Sequence, residues 1–214
     1  SDWSSDVCSS DLFEHFAEQQ LDVLREVGNI GAGNAATALS KLMNNPVEMK
    51  VPRASVLQFD EITEILGGAE RVVAAIFMRV SGETPGNMFF MLDTKQAKQM
   101  IHHIAGIDLS GGEDFSPMER SALTEIGNIL IGSYLSSLAD FTKLHLTPSV
   151  PSLAVDMAGA ILSFGLTPFG PLGDHALLID TTFYVGTKQL EGYFFFLPDP
   201  ESFGTLFQAL GVPF

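Results

Sequence analysis

The sequence predicts an α+β fold built by internal duplication. Three observations carry that expectation. The chain aligns on itself when Leu24 is laid on Leu123. Each half opens on a long helix-forming stretch and then turns to short apolar segments with strand character. Two runs, MFFML at 88–92 and YFFFL at 193–197, are apolar at every position. That pattern fits a central strand covered on both faces, and core packing accounts for it without a ligand pocket.

The duplication is read residue by residue. Leu24-Arg-Glu26-Val-Gly28-Asn29-Ile30 falls on Leu123-Thr-Glu125-Ile-Gly127-Asn128-Ile129. In the same register Gly33 meets Gly132, Leu39 meets Leu138, Val51 meets Val150 and Pro52 meets Pro151. After an ordinary change of loop length, Gly86–Asp93 falls on Gly192–Asp199. Residues 13–214 are therefore expected to form a single domain of two repeats, about 13–110 and 111–214. Residues 1–12, SDWSSDVCSSDL, are polar and aperiodic, and read as a disordered or non-native leader.

In chain order, a helix is expected over 13–43, then strands around 47–59, 71–81 and 87–92. A shorter helix at 94–105 stops at Gly106. The second half begins with a helix over 117–141. Its start is marked by Ser116 as cap, Pro117 at the first helical position and Glu119 closing a capping box. Strands follow at 144–155, 159–166, 176–185 and 191–197, and a last helix at 200–210 stops at Gly211.

Composition narrows the function classes. Hydrophobic residues make up 46% and charged residues 17%, as in a chain that buries a core. Eleven Lys and Arg stand against 26 Asp and Glu, a net charge of -15 with no basic cluster, which makes nucleic acid and anionic membrane surfaces poor candidate partners. Apolar runs such as Val72–Met78 are far below the ~20 residues a membrane span needs. With no signal-like N-terminus and a single cysteine, Cys8, the expected address is the cytoplasm, without disulfides or a cysteine zinc site. His102-His103 is an adjacent pair on different helix faces, expected at the surface or boundary.

Gly31-Ala-Gly33-Asn-Ala-Ala36 nearly matches the G-x-G-x-x-G/A dinucleotide fingerprint. Such a loop must follow a strand and open a helix. Here it follows strong helix formers with helical spacing, and the second copy replaces it with Leu130-Ile-Gly132. The glycines therefore lie inside a helix, where three of them forgo on the order of 3 kcal/mol against alanine. On a helical wheel Leu21, Leu24, Gly28, Gly31, Ala35, Ala38, Leu39 and Leu42 form a core seam, and Gly28 and Gly31 read as close approaches to the sheet. Asp22, Glu26, Asn29, Gly33 and Ser40 form the opposite stripe, with Ala36 at its edge. Gly33 would leave a flat spot that lets another surface approach Asn29.

The repeated pattern is Asp22-x-x-x-Glu26-x-x-Asn29-x-x-x-Gly33, then Ser121-x-x-x-Glu125-x-x-Asn128-x-x-x-Gly132. It closely resembles the [D/S]xxxExxNxxxG signature of the CheC/CheX/FliY family of chemotaxis phosphatases, and the resemblance covers nearly the whole chain from about residue 13. Two motifs and no added domain point to the CheC branch. The resemblance implies two motif-bearing helices on a common side of one shared, largely antiparallel sheet. It also implies hydrolysis of the aspartyl phosphate on the response regulator CheY. Glu26 and Glu125 would pair with the regulator's lysine, and Asn29 and Asn128 would orient the attacking water. Asp22, Gly33, Ser121 and Gly132 would be supporting positions. No cofactor or metal is expected on this chain, since the Mg2+ would sit on the phosphorylated regulator. The family further implies the receptor deamidase CheD as a partner. The rival readings are a non-catalytic adaptor for CheD or a response regulator, and a flagellar switch component.

Overall fold

A computed structural model describes residues 10–165, 175–199 and 201–211. The two halves repeat one order of elements. The first runs α1 (Ser10–Met43), β1 (Glu48–Lys50), β2 (Ala54–Gln58), α2 (Phe59–Ile65), β3 (Val72–Gly82), β4 (Gly86–Asp93) and α3 (Thr94–Ala105). The second runs α4 (Pro117–Thr142), β5 (Leu146–Pro148), β6 (Ser152–Met157), α5 (Ala158–Gly165), β7 (His175–Val185), β8 (Lys188–Pro198) and α6 (Ser202–Ala209).

All eight strands join one sheet in the order β1-β7-β8-β4-β3-β5, with β2 also on β7 and β6 also on β3. Every pairing among them is antiparallel. The halves exchange strands: β1 and β2 lie on the second half's β7, while β5 and β6 lie on the first half's β3. Phe89 and Phe195, equivalent in the duplication, are directly paired between β4 and β8. The pseudo-twofold axis therefore passes through the middle of the sheet. The phenylalanine-rich runs are these two central strands, with Met88–Leu92 and Phe194–Leu197 buried.

Strand alternation sends side chains into two cores. On one face Ile76, Phe90, Leu177 and Phe194 meet Leu24, Leu39, Leu123, Ile126 and Leu130 of the long helices, along with Met100 and Leu206 of α3 and α6. On the other, Ala75, Phe89, Leu178 and Phe195 meet Ile62 of α2 and Leu162 of α5. Each side chain this size that leaves water contributes roughly 1.5–3 kcal/mol. The common long-helix face is what sets the motif residues side by side.

Several expectations need correcting. The strand expected at 159–166 is the helix α5, since a short apolar run does not distinguish the two. The strand expected at 144–155 is two strands, β5 and β6, and that at 47–59 is β1 and β2, with the helix α2 following. Leu42, placed on the core seam, is 53% exposed. Gly31 approaches α4 and not the sheet: a Cβ there would lie 3.0–3.1 Å from Tyr134. Gly28 does face the sheet side, 3.4 Å from Val51 and Ile179. α1 begins at Ser10, so Ser10, Asp11 and Leu12 of the expected leader are helical, while residues 1–9, Cys8 included, lie outside the described residues. Residue 166 of the expected strand and residue 200 of the expected last helix lie outside them too.

Candidate functional site

The second motif helix is held from its first turn. Ser116 Oγ accepts from the Glu119 N–H at 3.2 Å, and Glu119 Oε2 accepts from the Ser116 N–H at 2.8 Å, completing the capping box. Glu119 is fully buried and also accepts from the N–H and Oγ of Ser110, at 2.8 and 2.9 Å, and from Lys98 Nζ at 3.1 Å. Burial pushes this carboxyl up. The Ser116 and Ser110 N–H groups, the Ser110 hydroxyl and Lys98 outweigh that and bring it down to about 2. Glu119 thus ties α3, the 107–116 connection and α4 together before the motif begins.

From that anchor the helical period does the rest. Leu123, Ile126, Gly127, Leu130 and Ile131 turn inward, leaving Ser121, Glu125 and Asn128 exposed. On α1, Leu24, Val27, Gly28, Gly31 and Ala32 turn inward and Asp22, Glu26, Asn29 and Gly33 outward. Close packing demands the inward glycines. A Cβ at Gly127 would lie 2.6 Å from Ile76, a residue buried in β3. The outward glycines are open: a Cβ at Gly33 or Gly132 would meet no atom within 4 Å. α1 and α4 pack on each other through Gly31 and Tyr134. The Tyr134 ring lies 4.5 Å from that of Phe194, and its hydroxyl is 2.9 Å from Thr181 Oγ1.

Side-chain detail separates the two motifs. Asn29 Nδ2 donates to the Arg25 carbonyl at 3.0 Å and to the Val51 carbonyl at 3.2 Å, while Oδ1 accepts from the Val51 N–H at 2.9 Å. Arg25 also lies 3.9 Å from Asp22 in an exposed pair. Among the described residues the Asn128 carboxamide has no hydrogen-bond partner. Val150, the counterpart of Val51, is 84% exposed. Its neighbour Ser149 is bound to β3, through Ser149 N–H to the Arg79 carbonyl at 2.8 Å and Arg79 N–H to Ser149 Oγ at 2.9 Å. The spacing could locate Asn29, but nothing in it revealed Val51 or Arg25.

The motif side chains stand exposed on their helices. A recess of about 760 Å3 is lined by Arg71, Lys95, Lys98 and Ser110 among others and includes no motif residue. No group of three or more His, Cys, Asp or Glu side chains among the described residues is placed to hold a metal. His102 and His103 sit at the surface of α3, bonded to the Ile107 carbonyl and to Gln99. A carboxylate and a carboxamide one turn apart on an open helix can enter another molecule's cleft but cannot enclose a small substrate.

Comparison with known proteins decides the family. The model of the CheC-like family matches residues 20–56 and 118–155, the two motif segments. The CheY-P phosphatase CheC of Bacillus subtilis (strain 168) is 47% identical over 207 residues, covering 94% of this chain and 98% of that protein. The chain belongs to the CheC-like family. Another member, the putative CheY-P phosphatase CheC1 of Halobacterium salinarum, is 24% identical over 90% of this chain and 96% of its own length. Thermotoga maritima FliY shares the CheC-like fold, with a TM-score of 0.70 at 18% identity over 91% of this chain and 96% of that one. No helix among the described residues is long and apolar enough to cross a membrane.

Proposed function

We propose that this chain is a phosphatase for phosphorylated CheY, a hydrolase of its aspartyl phosphate working in the cytoplasm. The observation that carries the reading is the pair of exposed Glu-x-x-Asn turns, Glu26/Asn29 and Glu125/Asn128, set on neighbouring helices of a CheC-like fold. The name of the Bacillus relative supports it.

The chemistry fits these side chains. Phosphoryl transfer asks for a water in line with the breaking P–O bond more than for covalent help. A carboxamide both donates and accepts, so it can hold that water without bringing negative charge to the phosphoryl oxygens. Each glutamate is one turn earlier on the same stripe, where it pairs with the regulator's lysine and fixes the approach. Gly33 and Gly132, one turn beyond the asparagines, leave room for the regulator's surface. Asp22 and Ser121 precede the glutamates on the same exposed face. Mg2+ belongs to the regulator, and CheD is a further partner.

The test mixes the chain with phosphorylated CheY and Mg2+ and follows phosphate loss. Acceleration over the regulator's own rate is the expected result. Binding without acceleration would make the chain an adaptor instead.

A further inference from the structure

The duplication invites the assumption that both motif surfaces work alike, and the hydrogen bonds contradict it. Both N–H groups of the Asn29 carboxamide are spent, one on Arg25 and one on Val51, and its oxygen holds the Val51 N–H. One lone pair on Oδ1 is all that is left for a water. Val51 is itself buried at 3% exposure, with its side chain against Gly28, so the 51–53 connection is seated on α1. Each connection is bonded to the strand beside it, the first through the Asp180 N–H to the Arg53 carbonyl at 3.0 Å and the second through Ser149 to Arg79. In the second repeat, however, Val150 stands out in solvent and Asn128 keeps its full set of donors and acceptors. The charges differ as well. Arg25, which precedes Glu26, lies 3.9 Å from Asp22, whereas Glu125 follows the neutral Thr124, whose hydroxyl is turned to the Arg120 carbonyl.

We infer that the two surfaces are unequal: Asn128 stands ready for the phosphoryl group, whereas Asn29 is a clasp on the Val51 backbone. The first surface works only in the fraction of molecules whose 51–53 connection has moved off α1. The claim rests on the phosphatase reading for its kinetic part, and on the clasp alone for its structural part. The two hydrogen bonds of the clasp alone limit the open fraction to at most about one part in five, and the burial of Val51 and the bonding of Arg53 to Asp180 lower it further. Asn29 is thus a positioning residue in the closed state, which sets the resting share of its own site.

Two measurements on the full chain test this. In the rate assay with phosphorylated CheY and Mg2+, Asn128→Ala is expected to lower turnover at least about fivefold, and Asn29→Ala to remove at most about a fifth of it. In amide hydrogen exchange by NMR, the Val51 N–H is expected to be slow in wild type and in Asn128→Ala. In Asn29→Ala it should be about 5- to 100-fold faster. Asn29→Asp still accepts the Val51 N–H and should retain part of the protection, which covers the case of an unstable alanine variant. Equal rate losses in the two alanine variants, or a Val51 amide that exchanges as fast in wild type as in Asn29→Ala, overturn the inference. Protection of Val51 in a wild type that does not accelerate phosphate loss refutes the phosphatase reading and leaves the clasp standing.

Discussion

Substituting Gly132 should make the protein more stable and less active, and both halves of that statement come from one geometric fact. A Cβ built on Gly132 meets nothing within 4 Å. The residue lies well inside α4, four positions before Ser136 and ten before the helix end at Thr142. Alanine there removes the backbone-entropy cost of glycine, worth about 1 kcal/mol, at no steric expense. For a domain of this size that is a rise in Tm of roughly 2–4 °C. The same methyl stands on the flat spot one turn beyond Asn128, where a regulator must approach. A small displacement of a water-positioning group is enough to slow phosphate release between about ten- and a hundredfold. Gly127 supplies the contrast. Its Cβ would lie 2.6–2.8 Å from three side-chain atoms of Ile76, including the branch point that cannot swing away. Overpacking at about 3 kcal/mol, less the same propensity gain, leaves Gly127→Ala about 2 kcal/mol less stable. Thermal melts and phosphate-release assays on both variants decide the matter. A Gly132→Ala protein less stable than wild type refutes the open-face geometry. One that is more stable yet fully active refutes the docking role.

Other consequences concern the scaffold and the metal. Glu119→Ala strips Lys98 and Ser110 of a buried partner and should cost about 2–4 kcal/mol in a denaturant melt. The Glu119 carboxyl, held down to about 2 in the fold against an ordinary 4.5, stabilises the native state fully above pH ~4.5. That contribution is lost as the pH falls from there toward 2, so the acid melt should flatten in Glu119→Gln, which cannot titrate. Tyr134→Phe removes the hydroxyl at Thr181 while keeping the ring on Phe194, and should lower stability by about 1 kcal/mol without shifting the exchange of Val51. Chelating Mg2+ should stop turnover of phosphorylated CheY while leaving this chain's own Tm where it was, since the ion is assigned to the regulator.

Much of the architecture was legible because the duplication doubles every signal. Thr94–Ala105 falls on the expected helix 94–105, and Gly106 ends it with φ 66, a left-handed value that suits glycine. The capping box of α4 was equally plain from Ser116 and Glu119. The helix α5 was misread as a strand because Ala158–Gly165 is almost wholly apolar. Its counterpart Phe59–Ile65, with Asp60 and Glu61 in the first turn, carried the helical signal that the repeat register could have transferred. The exchange of strands between halves had no local signature, since it depends on pairings distant in the chain. For the same reason the stripe of Glu26 and Asn29 was readable from spacing, while the backbone of Val51, 22 residues away, was not.

The central claim is that the asparagine carboxamides act on another protein's phosphoryl group. Its most direct test is single-turnover hydrolysis of phosphorylated CheY by the Asn29→Ala/Asn128→Ala double variant, with binding measured in parallel. The expected result is a folded protein that still binds the regulator and no longer accelerates phosphate loss. A double variant that hydrolyses as fast as wild type would contradict it.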